Sequence, residues 1–514
     1  MSMEENQKYS ALRSVFGYGS FRPGQEEVVD ALLAGRDVLA VMPTGAGKSI
    51  CYQLPALLLP GVTVVVSPLI SLMKDQVQAL VQMGVRAAYI NSSLTDGQCR
   101  KALENACAGM YKIVYVAPER LLTPGFVRFS HSVLISLVCV DEAHCVSQWG
   151  QDFRPGYLEI GEFLEGLHTR PPLGAFTATA TQRVRQDILR LLALRSPLEL
   201  TTGFDRPNLF FEVERLPEKD KYAALAAYLR ARPGASGIVY CSTRKKVDEV
   251  CARLLADGFS AARYHAGLEP EPRRQSQDAF LYDRVQVMVA TNAFGMGIDK
   301  SNVNFVIHYN MPLDLESYYQ EAGRAGRDGQ PADCILLYSP GDVRMGNFLI
   351  DNSSPAEGEA EDAEVLKDRQ RERLKQMTFY CHSRYCLRGE VLRYFGQAQP
   401  FASCGACSVC APDACRAPVA CLAARPARRA APPDERDLDQ ALLAQLKALR
   451  KTLAARAGVP AFVVFTDATL RAMCARPIRT RQELLQVPGV GVRKCESYGD
   501  EFLELLRRHA DSGQ

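Results

Sequence analysis

The sequence predicts an α/β protein with two parallel-sheet lobes, followed by a helical cysteine-bearing module and a small all-α domain. Short β-branched runs alternate with helical stretches from about residue 20 to 340. That rhythm breaks near residue 204, and strand-like runs stop after 340. At 514 residues the chain is too long for one ordinary domain. Its 47% hydrophobic and 23% charged content suits several buried cores in a soluble protein.

VTVVVSP (62–68), KIVYVAP (112–118), LVCVDEAH (137–144), SGIVYCS (236–242) and VQVMVAT (285–291) read as strands. Each ends in a polar or Gly/Pro-rich turn, as in parallel sheets whose functional loops follow the strand C-termini. TTGFDRPNLFFEV (201–213) lacks a helical period and separates the two series. The expected domains are 1–204, 205–340, a cysteine-bearing module over 341–415, a linker over 416–437 and a helical domain over 438–514. NSSPAEGEAEDAE (352–364) is an acidic low-complexity loop, and the linker is rich in Ala, Pro and Arg. LDQALLAQLKALRKTLAARAG reads as an amphipathic helix closed by Gly458 at its C-cap.

Sixty-one basic against 58 acidic residues give a net charge of +3, so any nucleic-acid surface is local, not global. MSMEENQKYS lacks the basic-then-apolar layout of a signal peptide. No apolar run approaches the roughly 18 residues needed to span a bilayer. Most of the 17 cysteines are scattered singly (Cys51, Cys139, Cys241, Cys334), as in a reducing compartment, and a cytoplasmic protein is expected.

MPTGAGKS (42–49) follows the strand-like DVLAVM and precedes a helical pattern, the context of a phosphate loop. Thr44, Gly45 and Gly47 belong to the loop, whose glycines let backbone amides approach phosphate. Lys48 is placed to reach the β/γ-phosphates and Ser49 to help hold Mg²⁺. Met42 occupies the position where the strict motif has glycine. DEAH (141–144) closes an apolar strand, where Asp141 is a Mg²⁺ ligand and Glu142 can orient or deprotonate the attacking water. In QEAGRAGRDG (320–329), small residues leave Arg324 and Arg327 room to deliver a guanidinium to a transferring phosphoryl group. CGACSVC (404–410) presents Cys404, Cys407 and Cys410 at two-residue gaps, a spacing that converges thiolates on one metal ion. Zinc is favoured over an iron–sulfur cluster, because the closing Cys-Pro of such clusters is absent.

FGYGSFRPGQ (16–25), MPTGAGKS, SPLISLMKDQ (67–76), DEAHCVSQWGQDFRP (141–155), FTATAT (176–181), YHAGL (264–268), ATNAFGMGIDK (290–300) and QEAGRAGRDG follow one another as in the RecQ helicases of superfamily 2. The chain resembles that family from about residue 10 to 510. The resemblance implies two RecA-like lobes and an ATP-dependent 3′→5′ DNA helicase of recombination and repair. It implies that Tyr18 stacks on adenine while Arg22 and Gln25 bond the base edge. It further implies an aromatic-rich loop at Trp149, Phe153 and Arg154 that senses unpaired bases, and a role for His144, Thr177 and Thr179 in coupling. The fourth zinc ligand it implies is Cys386, with Cys381, His382 and Cys415 as rivals. The tail, with VPAFVVFTDATLRAM (459–473) and LLQVPGVGVRKCESYG (484–499), resembles an HRDC domain. Many RecQ proteins carry a winged helix after the zinc module, and the linker here is too short to hold one.

The expected cofactors are ATP, Mg²⁺ and Zn²⁺. The expected partners are single-stranded and forked DNA, with protein contacts through the HRDC-like tail, for a nucleoid-associated monomer. Two other readings remain at this stage: a translocase or annealing factor that unwinds weakly, and a nucleic-acid scaffold with a silent ATP site. Lys48, Asp141, Glu142 and Arg327 argue against the second.

Overall fold

The computed structural model describes residues 3–150, 152–294, 300–352, 363–415 and 439–511. Seven strands form the first sheet: β1 (Val38–Val41), β2 (Val62–Val66), β3 (Ala87–Ile90), β4 (Ile113–Val116), β5 (Ile135–Val140), β6 (Leu173–Thr177) and β7 (Leu198–Thr201). Their order is β3-β4-β2-β5-β6-β1-β7, and every pairing is parallel. The central strands β1, β2, β4 and β6 are buried at every position, because helices cover both faces. This order sets β5, β6 and β1 side by side, with Val41 in register with Thr177. The loops leaving those three strands therefore share one edge.

The second sheet comprises β8 (Leu209–Arg215), β9 (Gly237–Tyr240), β10 (Ala261–Tyr264), β11 (Val287–Ala290), β12 (Phe305–His308) and β13 (Ala332–Tyr338). It is again all parallel, in the order β10-β11-β9-β12-β13-β8. All five sequence-expected strands form. The 201–213 segment is more regular than its pattern suggested, since β8 begins inside it at Leu209 and lines the sheet edge along all of β13. Its reading as a separator missed this because LFFEVER has a neighbouring strand on one side only and alternates poorly.

After β13 the described residues hold helices and turns, with one isolated bridge between Phe211 and Cys407. The C-terminal bundle packs Leu446, Phe465, Leu470 and Phe502 at its centre. Its first helix, Gln440–Ala457, is capped by the Asp439 carboxylate on the Leu442 amide and ends at Gly458 with φ 66°. The first sheet and this bundle form one compact unit, and the second sheet and the cysteine-bearing module form the other. No described helix is long and apolar enough to cross a membrane. The linker arginines Arg416, Arg425, Arg428, Arg429 and Arg436 lie outside the described residues, as does most of the GMGIDK motif.

Candidate nucleotide site and metal centre

The turn after β1 has Gly45 and Gly47 in the left-handed region, at φ 81° and 82°, and passes directly into the helix Lys48–Leu58. A side chain at Gly47 would lie 2.5 Å from the Gln25 amide nitrogen, so only glycine allows that approach. The Gln25 Nε2 amide donates to the Ala46 and Gly47 carbonyls at 3.0 and 3.1 Å. Arg22 donates to the Gly45 carbonyl, and its own amide is held by Gln25 Oε1 at 2.9 Å. The two side chains expected at a base edge thus brace the phosphate loop in this arrangement. Tyr18 is half-buried beside the Leu12–Phe16 cluster.

Asp141 follows β5, and its amide bonds the Val66 carbonyl at 2.9 Å. Glu142 takes a left-handed φ of 49°, which costs a non-glycine residue about 1–2 kcal/mol. It is held there by neighbours that fix its direction. Its carboxylate lies 3.4 Å from His144 Nδ1, which lies 2.9 Å from Thr177 Oγ1. Thr177 gives its hydroxyl proton to the Thr179 carbonyl at 3.0 Å, so its oxygen accepts from His144, and Nδ1 carries the proton. Burial lowers the His144 pKa and keeps the ring neutral. Burial and the adjacent Glu142 charge raise Asp141 to about 7. A carboxylate so placed gains most from a hard divalent cation, and with Ser49 it offers the oxygen donors that Mg²⁺ takes.

The loop after DEAH folds back onto this network. Gly150 backs so closely onto the His144 carbonyl that a Cβ would collide with it. Trp149 is half-buried, its amide bonded to Ser147 Oγ at 3.1 Å, and Ser147 in turn donates to Asp187 at 2.7 Å. The guanidinium of exposed Arg183 stacks on the Trp149 ring. Half-buried Arg154 bonds Asp152 and reaches the Pro68 carbonyl at 2.7 Å, with Phe153 beside it also half-buried. Sequence reasoning missed Arg183. The available signal was QRVR, which sets two arginines in the first turn of a helix, where the dipole disfavours cations unless they serve a partner. It also missed Tyr157, whose hydroxyl donates to the Asp141 carbonyl at 2.8 Å.

In the second unit, Arg206 and Asn208 bond carbonyls of the turn at Gly323–Gly326, fixing the segment that carries both candidate arginines. Arg324 is buried beside Tyr240, whereas Arg327 is half-exposed.

Cys386, Cys404, Cys407 and Cys410 bring their sulfurs within 4.8 Å of one another. Tetrahedral Zn²⁺ with bonds of about 2.3 Å needs sulfurs roughly 3.8 Å apart, and these four soft donors fit it. Backbone amides of Gly389, Ala406 and Cys410 donate to Cys386, Cys404 and Cys407 at 3.3, 3.3 and 3.4 Å. Burial raises the pKa of Cys386 and Cys404. At Cys410 burial is outweighed by hydrogen bonds from Ser403 and the Cys404 backbone, which bring it to about 6. The rivals stand elsewhere: Cys381 is buried apart, His382 bonds Tyr338 at 3.0 Å, and Cys415 sits by Glu212 and Glu214.

Four family models match in order: DEAD/DEAH box helicase over 22–188, helicase conserved C-terminal domain over 220–329, RecQ zinc-binding over 340–411 and HRDC domain over 439–506. The chain is 38% identical to an ATP-dependent DNA helicase RecQ of Bacillus subtilis, with 98% of each chain covered. It is 36% identical to that of Pasteurella multocida, over 97% of this chain and 93% of the relative. The first alignment spans 595 positions, so that relative carries a long stretch inside the matched span that these 514 residues lack. Among solved structures, Saccharomyces cerevisiae Dbp5 bound to RNA and ADP BeF3 shares the two-lobe fold at TM-score 0.53 and 19% identity, covering 72% of this chain and 98% of Dbp5. ATP and Mg²⁺ are therefore the chain's cofactors, together with Zn²⁺, for which the zinc-binding region offers the cluster of four thiols. From its motor lobes through its zinc module to its HRDC domain, the chain belongs to the RecQ family of ATP-dependent DNA helicases.

Proposed function

We propose that the protein moves 3′→5′ along single-stranded DNA and separates duplexes ahead of it, in the recombination and repair of chromosomal DNA. Lys48 and the Gly45–Gly47 amides hold the phosphates, Glu142 prepares the attacking water, and Arg327 and Arg324 serve the charge on the transferring phosphoryl group. Mg²⁺, when bound through Asp141 and Ser49, neutralises charge on the phosphoryl oxygens. Tyr18 stacks on adenine, while Arg22 and Gln25 leave the loop carbonyls to bond the base edge. Trp149, Phe153 and Arg154 meet unpaired bases. The enzyme works as a monomer on single-stranded and forked DNA in the cytoplasm, with protein partners engaged through the HRDC tail.

One observation carries this reading: the continuous path from Glu142 through His144 to Thr177 and Thr179, with the Trp149 loop seated on the His144 carbonyl at Gly150. A base drawn onto Trp149 shifts the peptide that orients the glutamate's partner. A second reading, translocation or annealing with weak strand separation, is favoured by the stretch that the Bacillus subtilis relative carries and this chain lacks. Unwinding of 3′-tailed, 5′-tailed, forked and quadruplex DNA, with and without ATP, separates the two. ATP-dependent opening of 3′-tailed and forked substrates, and not of 5′-tailed ones, is expected. Annealing without opening supports the second reading, and opening of 5′-tailed substrates alone overturns the polarity.

A further inference from the structure

The HRDC turn at residues 488–494 looks built for phosphate, with two glycines entering the helix Val492–Asp511 beside Arg493 and Lys494. In the structure this turn lies on the first lobe. The Gly489 amide donates to the Gly17 carbonyl at 2.9 Å. No side chain separates the two backbones. A Cβ on Gly17 would sit 2.6 Å from the Gly491 nitrogen, and one on Gly491 would sit 2.7 Å from the Val15 carbonyl oxygen. The Tyr498 hydroxyl donates to Gln82 Oε1 at 3.3 Å, and the Arg493 stem lies against Gly84. Lys494 is half-buried here, and desolvation brings its pKa down to about 8.

The docking point is specific. Gly17 ends the π-helical turn Leu12–Phe16 with φ 75°, and Tyr18 follows it immediately. Four and seven residues further on, Arg22 and Gln25 grip the phosphate-loop carbonyls. Hydrogen bonds and backbone contacts thus run from the HRDC turn through the base-reading segment to the ATP loop. An amide donated to Gly17 cannot at the same time be donated to a phosphate oxygen.

We propose that the 488–494 turn is a two-position element: docked on Gly17 it braces the base-reading segment, and a DNA phosphate backbone competes with the lobe for it. DNA taken up by the tail then loosens the brace and weakens ATP binding, and bound ATP in return weakens DNA binding by the tail. This rests on the assignment of Tyr18, Arg22 and Gln25 to adenine.

The test uses the full-length protein carrying Gly491→Val. The three heavy atoms nearest to its new Cβ all belong to Ser14 and Val15 of the lobe, so the substitution strikes the docked lobe first. Amide hydrogen exchange across residues 12–19 should rise roughly tenfold, and the KM for ATP should rise several-fold at unchanged kcat, within the 5–150-fold range of ordinary couplings. Protection of the Phe502–Leu506 core amides verifies that the tail remains folded. In the unaltered protein, a short oligothymidylate should raise exchange across 12–19 in the same way, and Arg493→Glu should remove that response. Unchanged exchange in Gly491→Val would overturn the docking. Persistent protection of 12–19 with DNA bound would overturn the competition. Tyr18→Ala separates the underlying assignment: an unaltered KM for ATP there would remove the adenine reading, while the exchange data still judge the docking.

Discussion

Two glycine-bearing turns in one compact unit enter helices and carry lysine beside them, yet they do different work. In the turn before the helix Lys48–Leu58, the contacts that brace it come from Arg22 and Gln25 on its carbonyls. In the turn before the helix Val492–Asp511, the Gly489 amide is donated to Gly17 of the lobe. The cysteine-bearing turn adds a third use, since its amides point at sulfur. A glycine turn at a helix start therefore marks close backbone approach. What approaches is decided by the surroundings: DEAH and Thr177 beside the first turn, a lobe backbone beside the second.

The strongest way to break this comparison is to remove both lysines in turn. Lys48→Ala or Glu142→Gln should lower DNA-stimulated ATP hydrolysis by about 10²–10⁴-fold, the scale of lost acid–base and phosphate contacts, with the fold retained by circular dichroism. Lys494→Ala should keep kcat. Comparable kcat losses from both lysines would erase the distinction.

The sulfur-facing turn is tested by Cys407→Ser and Cys386→Ser. Each should lose the single zinc and much of the soluble yield, because metal binding there is folding free energy. Elemental analysis and visible absorbance check it: iron with a visible band would overturn zinc, and full zinc in Cys386→Ser would assign the fourth ligand elsewhere.

A smaller effect separates binding from chemistry within the first unit. Trp149→Ala should retain basal hydrolysis and weaken single-strand binding by roughly 5–150-fold, since stacking is worth about 1–3 kcal/mol per base. Arg183→Ala should move the same way by less, because it takes away the cation stacked on that ring. Unchanged DNA stimulation in Trp149→Ala would return the ring to a packing role.

A separate effect, on stability and not on binding or turnover, lies in the second unit. Burial, with Asp314 nearby, raises Glu316 to about 7, opposed by Arg373 and the hydrogen bond from Tyr394. A carboxyl raised in the folded state contributes stability fully present below its unfolded pKa and lost as pH rises through about 7. Between pH 4.5 and 7.5 the protein should therefore lose on the order of 3 kcal/mol relative to Glu316→Gln. Parallel melting curves for the two proteins across that range would exclude a raised Glu316.

Much of this was legible because local pattern carried it. Five strands, the phosphate loop, DEAH and the three closely spaced cysteines each rest on a few neighbouring residues. Four features were not legible: β8 inside an apparent separator, Arg183 on Trp149, the Arg22 and Gln25 grip on the loop, and the HRDC turn on Gly17. Each joins residues distant in sequence, or, for β8, pairs one side of a strand with a partner more than 100 residues away. Cys386 lies between the two cases. Its spacing left rivals open, and it joins the cluster because the helix Leu387–Tyr394 begins with its sulfur accepting the Gly389 amide.

The edge strand β8 has a consequence for how the protein ages. On its outer side, Phe211 exchanges backbone hydrogen bonds with Ala406 and Ser408 of the zinc loop, at 3.1 and 2.9 Å. The metal loop thus covers an otherwise open row of amides and carbonyls, the kind of border on which foreign strands assemble. Chelation or thiol oxidation does more than release a small module. It uncovers a sticky hem on the motor, and damaged molecules should leave solution as aggregates before the ATP site itself has failed.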